Sequence, residues 1–149
     1  VIYLRPLTPQ DHSLTMAWRS NSLVYEGFYQ QNRPLTWDEH INWYATRGKN
    51  WQCFIIMYEQ RPVGVIIVQQ LDHWMPEIGW YIGEVSLWGK GIGKQAVQLG
   101  LDHLRSMGYE YCHTSILDTG TRSLRLAESV GFKVVGEARE GETEVKIKL

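Results

Sequence analysis

Trp88-Gly89-Lys90-Gly91-Ile92-Gly93-Lys94 sets three alternating glycines between a short apolar run that ends at Ile82 and an amphipathic stretch that begins at Ile92. Glycines let backbone N–H groups approach a ligand with no side chain intervening, and the open amides and positive dipole end of a following helix favour an anion. The stretch therefore reads as a phosphate cradle. Its spacing excludes two familiar ones. A Walker loop needs four residues between its first Gly and Gly-Lys-Ser/Thr, but Gly83 to Gly89-Lys90 has five, and Gly91 stands where the metal-binding hydroxyl belongs. A dinucleotide fingerprint needs G-x-G-x-x-G near the start of a βαβ unit, whereas this is G-x-G-x-G well past mid-chain.

The chain has 149 residues and is 44% hydrophobic, enough to bury one core, so residues 1–149 are read as one domain. A formal net charge of -1 offers no basic field for nucleic acid. No apolar run approaches the ~20 residues of a membrane span. The N-terminus lacks the basic, apolar, small-residue order of a signal peptide, although the sequence does not begin with Met. Cys53 and Cys112 lie in apolar, strand-like runs and read as buried thiols, which points to a reducing cytoplasm.

Periodicity supplies the order of elements. Ile2 to Leu7 reads as a strand; Pro9-Gln10-Asp11 opens a helix through Leu14, Ala17 and Trp18 that loosens at Asn21. Thr36-Trp37-Asp38-Glu39 is a capping box, predicting a helix to about Arg47 with a stop near Gly48. Trp51–Glu59 and Val63–Leu71 read as strands joined through Gln60-Arg61-Pro62, and Glu77–Ile82 as a strand after Pro76. The helix after the glycines carries Ile92, Ala96, Val97, Leu99, Gly100, Leu101 and Leu104 on one face and ends near Gly108. Tyr111–Leu117 is a strand and Thr121–Val130 a helix stopped at Gly131. Phe132–Arg139 and Thr143–Leu149 form a hairpin around Glu140-Gly141-Glu142. This order predicts an α/β fold with a mixed sheet of about seven strands and about four helices, in which the strands flanking the long helix run parallel.

That order, with the glycine loop between the fourth strand and the third helix, resembles the GNAT superfamily of acetyl-CoA-dependent N-acetyltransferases over nearly the whole chain. Trp88 to Gly93 matches the family pattern Gln/Arg-x-x-Gly-x-Gly/Ala except that Trp88 replaces the first residue, and Ser123 to Phe132 looks like the family's fourth helix ending in Gly-Phe. The resemblance implies a single-domain GNAT-like fold, acetyl-CoA as co-substrate and no metal. Backbone N–H groups of Trp88, Gly89, Gly91, Gly93 and Lys94 would hold the pyrophosphate. Lys90 and Lys94 would add charge there, unless they are solvated lysines at a helix start. Tyr81, Ile82 and Gly83 would hydrogen-bond the pantetheine arm like an added strand.

An ammonium has no lone pair with which to attack a thioester. Freeing a primary amine of pKa near 10.4 at neutral pH costs about 4–5 kcal/mol, so a placed carboxylate is useful. Glu77, in Glu77-Ile78-Gly79-Trp80, is the best candidate for this base, matching the position of such an acid in one branch of the family it resembles; the alternative is a strand-end carboxylate in solvent or a structural salt bridge. Alternation puts Glu77, Gly79 and Tyr81 on one face and Ile78, Trp80 and Ile82 on the other. The Ile82 N–H would stabilise the tetrahedral oxyanion. Two departures stand out: Ala127 replaces the Tyr with which many relatives protonate the thiolate, and Gly120 replaces a helix-start Asn, which removes a hydrogen bond near the pantetheine. Ser123, Ser129, Tyr109 and Tyr111 are substitutes, with Ser123 also assigned to the cofactor side. A thiolate of pKa near 8.5 leaves tolerably without help.

Eight of the eighteen aromatics fall between residues 18 and 51. Trp18, Trp43 and Trp51 read as core, whereas Tyr25, Phe28 and Tyr29 lie outside the helical patterns, in the loop that borders the acceptor in relatives, and read as substrate-binding. The first fifty residues hold four acids and five bases, no strong acidic field for a polycation such as an aminoglycoside or spermidine. An amino sugar or a peptide N-terminus fits better as the amine. Trp18-Arg19 and Thr36-x-x-Glu39-His40-x-x-Trp43 resemble the branch of amino-sugar and ribosomal-protein-alanine acetyltransferases. Arg19 reads as a surface ion pair before a ligand for substrate phosphate or carboxylate, and His40 as helix packing before a base. The histidines lack metal-ligand spacing. A catalytically silent acyl-CoA-binding or sensor domain is the alternative function, and an interaction domain docking a partner through its aromatics a third. The sequence leaves a homodimer open.

Overall fold

The computed structural model describes residues 1–29 and 31–149. Seven strands and five helices alternate along it: β1 (Ile2–Pro6), α1 (His12–Ser20), α2 (Ser22–Tyr25), α3 (Trp37–Ala45), β2 (Trp51–Tyr58), β3 (Arg61–Gln69) and β4 (Glu77–Ile82), then α4 (Ile92–Ser106), β5 (Tyr111–Leu117), α5 (Thr121–Val130), β6 (Lys133–Glu137) and β7 (Glu142–Lys148). The strands form one mixed sheet in the order β1-β2-β3-β4-β5-β7-β6, antiparallel except where β4 meets β5. This is the predicted architecture. The one added helix is the single turn α2, where Asn21, read as a loosening, instead accepts a hydrogen bond from the Leu23 N–H at 3.0 Å and caps a new turn.

Residues 92, 96, 97, 100, 101 and 104 of α4 are buried, the stripe that a 3.6-residue period requires, and pack on Ile56, Ile66, Val68 and Ile78 of the sheet. Gly100 permits this closeness: a Cβ there would lie 2.9 Å from the Ile78 side chain. Trp18 of α1 covers the opposite face with Ile55, Met57 and Val65. Arg5 holds that layer to the sheet edge, donating two 2.8 Å hydrogen bonds to Asp11, whose carboxyl is held down to about pKa 2 by the guanidinium and the Thr8 backbone.

Boundaries shift where side chains compete with the backbone. The Thr36–Glu39 capping box forms as expected, but α3 closes at Ala45, two residues early, where the Thr46 hydroxyl donates to the Asn42 carbonyl at 2.8 Å. The β2–β3 turn is tighter than Gln60-Arg61-Pro62 suggested. Tyr58 pairs with Arg61, so Glu59 and Gln60 alone make the turn, both left-handed at φ 48° and 66°. That is a primed turn without its favoured Asn-Gly. Relieving the Gln60 conformation with Gln60→Gly should raise the melting temperature by about 2 °C, since an L-residue there costs about 1–2 kcal/mol that added unfolded-state freedom offsets only in part. Thermal unfolding of the two proteins checks it.

Candidate active site

β4 and β5 share a single register pair, Glu77 with His113. Beyond it each strand is paired only on its outer side, β4 with β3 and β5 with β7. The unpaired lengths form the walls of two adjoining cavities. One, of about 680 Å³, lies toward α3 and is lined by Glu77, Gly79, Phe28, Tyr29 and Arg19 among others. The other, of about 850 Å³, runs along the glycine loop and the start of α5. Gly27, Phe28, Trp80, Tyr81, Leu117 and Ser123 belong to both walls.

The Gly83 N–H donates to the Val63 carbonyl at 2.8 Å, which fixes the alternation along β4. Residues 81 and 83 direct their backbone polar groups at β3, whereas Trp80 and Ile82 direct theirs into the crevice. Of the three residues expected to offer hydrogen bonds there, only Ile82 faces it. Gly83 is instead a packing glycine, because a Cβ would meet the Trp18 ring at 2.1 Å. Glu77 and Tyr81, expected on one face of β4, both line the α3-side cavity, and Gln69 on β3 donates its side-chain N–H to Glu77.

The loop glycines divide their work. Gly89 and Gly91 are both left-handed at φ 80° with open space where a Cβ would stand, and Gly91 caps α4. Gly93 serves packing as well, since its Cβ would lie 2.9 Å from Leu126 on α5. Trp88 ties the loop to the strand by donating its indole N–H to the Ile82 carbonyl at 2.9 Å, with Arg122 stacked 4.5 Å from its ring. Lys94 lines the cavity; Lys90 is exposed and stands outside it.

The other expectations separate. Phe28 and Tyr29 line the α3-side cavity, whereas Tyr25, at the end of α2, lines neither. Ser123 and Ser129 reach the glycine-loop cavity, while Tyr109 donates to the Leu71 carbonyl and Tyr111 stacks near Trp74 and Lys146, both away from it. Ala127 is fully buried in the core. Trp18 is core, but Trp43 is half-buried and walls the α3-side cavity. Burial pushes the Cys53 and Cys112 thiols up to about 12. Among the described residues, no three His, Cys, Asp or Glu side chains come together as a metal-holding group, and no helix is long and apolar enough to cross a membrane.

Sequence reading misplaced Arg19. Among the described residues it makes no ion pair: it is half-buried, donates to His40 Nδ1 at 3.1 Å and lies 5.0 Å over the Trp43 ring. An arginine only donates, so Nδ1 accepts and the His40 proton sits on Nε2, bonded to Thr15 Oγ1 at 3.0 Å. Burial first, then Arg19 and His12, lower His40 to about pKa 4.

A family model described as acetyltransferase (GNAT) domain matches residues 2–133. The chain belongs to the GNAT family. The fold and the family are those of acetyl-CoA-dependent N-acetyltransferases. An uncharacterized protein of Methanocaldococcus jannaschii is 43% identical over 99% of this chain, which spans 31% of that relative's length. A crystal structure of a domain from the same organism superposes with TM-score 0.95 at 43% identity, covering 100% of this chain and 99% of that one. A spermidine N-acetyltransferase from Vibrio cholerae in complex with CoA and spermine shares the fold at TM-score 0.87 and 15% identity, covering 99% of this chain and 95% of that one.

The neutral His40 has a consequence for stability. The unfolded chain takes up this proton near pH 6.5 and the folded chain only near pH 4, so the unfolded state binds more protons between those values. Stability should therefore fall as pH drops from about 6.5 toward 4. Melting curves across that window should show the decline, and His40→Gln should flatten it.

Proposed function

We propose that this chain moves an acetyl group from acetyl-CoA to a primary amine by direct attack. The acceptor is an amino sugar or a peptide N-terminus, seated in the α3-side cavity. The observation that carries the reading is the meeting of the two cavities at Trp80, Tyr81 and Ser123, where Trp80 turns its backbone groups into the crevice and Glu77 lies on the acceptor side.

The glycine-loop cavity suits the donor. Gly89 and Gly91 present open backbone where a side chain would block a pyrophosphate, at the N-terminus of a fifteen-residue helix whose dipole favours the anion. Trp88 takes the place of a Gln or Arg side chain by bracing the loop on Ile82, leaving the binding to amides and to Lys94. The crevice-facing N–H and C=O of Trp80 and the N–H of Ile82, whose carbonyl already accepts from Trp88, suit an extended amide chain added as a strand.

On the acceptor side, Glu77 takes the proton from the incoming ammonium, oriented by the Gln69 N–H. The Ile82 N–H is the donor to the oxygen on which charge gathers during attack. Ser123, in both walls, is the hydroxyl best placed to donate to the departing thiolate now that Ala127 is sealed in the core.

Thiol release with a panel of amines tests the reading directly; binding of acetyl-CoA with no amine turned over would favour a silent acyl-CoA-binding domain. Glu77→Gln should lower the rate at neutral pH by about 100-fold. An unchanged rate would remove Glu77 as the base. By calorimetry, Lys94→Ala should weaken coenzyme A about 3- to 10-fold while Lys90→Ala leaves it unchanged. Equal losses would place the phosphates elsewhere.

A further inference from the structure

Four other charged side chains on the wall of the α3-side cavity cancel in pairs. Arg33 forms two hydrogen bonds to Glu39, at 3.0 and 2.9 Å, and Arg139 is paired with Glu142 while lying 3.8 Å over the Tyr29 ring. Two charges are left over. Glu77 is held by a neutral amide, and Arg19 has no carboxylate within ion-pairing distance among the described residues. A half-buried guanidinium without a counter-ion is costly, and among the described residues its only side-chain hydrogen bond uses one of five N–H donors on a neutral imidazole. A second group on the same cavity wall is also unsatisfied. The Tyr81 hydroxyl is buried with no hydrogen-bond partner among the described residues, and Tyr81 lines the same cavity as Arg19. The guanidinium can only donate and the un-ionised phenol keeps a proton to donate, so an acceptor bearing negative charge satisfies both.

We propose that Arg19 and Tyr81 form an anion subsite, and that the acceptor carries a phosphate or carboxylate together with its amine. This rests on the acetyl-transfer reading above and deepens it. Glu77 receives the amine end and Arg19 the anionic end of one molecule. A polyamine or other polycation would set positive charge against Arg19, and is disfavoured. The remaining cation near Trp43, Arg47, stacks 4.7 Å from that ring but is exposed and outside the cavity wall, so it does not substitute.

Two matched pairs of acceptors separate the sources of the anion: an amino sugar with and without a phosphate, and a short peptide with a free or an amidated C-terminus. The wild type should prefer the charged member of one pair by about 10-fold or more in kcat/KM, the discrimination expected of a charge-assisted hydrogen-bonded contact. Arg19→Gln should collapse that ratio to within about 3-fold and Arg19→Lys should restore part of it. Tyr81→Phe should lower it less. The ratio cancels general damage to the enzyme. Should Arg19→Gln fail to fold, the wild type alone decides through salt, since KM for the charged acceptor should rise with ionic strength while KM for its neutral partner stays flat. No preference within either pair, or a preference that survives Arg19→Gln, overturns the proposal. Calorimetry with the phosphorylated sugar lacking its amine separates this from the parent reading: Arg19-dependent binding without turnover of any amine would overturn acetyl transfer and keep the anion subsite.

Discussion

Parallel strands β4 and β5 meet at Glu77 and His113 and part beyond it, each fully paired on its outer side. A parting of this kind leaves backbone N–H and C=O groups without partners inside the sheet. An unsatisfied buried polar group costs about 1–3 kcal/mol, so those groups must face water or something that hydrogen-bonds like a strand. The split thus makes a binding crevice out of the sheet's own main chain. It also sets the depth of both cavities and puts Glu77 at the vertex, on the last residue where the strands still touch.

The rest of the fold keeps that split open. Trp18 lies against Gly83 at the end of β4, its indole N–H donating to Glu84 at 3.3 Å, while Trp88 draws the loop back to the Ile82 carbonyl. On the other wall α5 ends at a left-handed Gly131, where the Phe132 N–H returns to the Ala127 carbonyl at 3.0 Å. Gly93 then lets α4 and α5 approach within contact of Leu126. The glycine loop is therefore held at three points, by a tryptophan on the strand, by a helix cap and by close helix packing. A cradle of backbone amides works only if the backbone is fixed before the ligand arrives.

Most of the fold was legible because it rests on local, periodic signals. The apolar stripe of α4, the Thr36–Glu39 box and the alternation in β4 each depend on residues a few positions apart, and each appeared where predicted. The glycine loop was legible for the same reason. What stayed hidden depends on partners distant in sequence. Nothing in Trp18-Arg19 reveals that His40 and Trp43, on another helix, will receive the guanidinium, or that Glu39 will be taken by Arg33. Gly83 and Gly93 looked like neighbours of a ligand, yet their missing Cβ atoms make room for Trp18 and Leu126. Tyr25 was grouped with Phe28 and Tyr29 because all three lie outside the helical patterns, yet it ends the single turn capped by Asn21 and lines neither cavity.

The Thr15–His40–Arg19 chain of hydrogen bonds joins the stability of the helical layer to the character of the acceptor cavity. Thr15 donates to the Asp11 carbonyl at 3.1 Å, so it can only accept from His40, and His40 can then only accept from Arg19. Each link fixes the direction of the next. A charged imidazole would present a donor to a donor and push the guanidinium away, so the neutral His40 is a condition for Arg19 to hold its place. The network spends no carboxylate on that cation. With Arg33 and Arg139 each neutralised within the protein, Arg19 is the positive charge the cavity keeps, and burial of the ring beneath it is what holds that charge facing inward. The helix pair that covers one face of the sheet thereby also sets which charge an acceptor meets on entering.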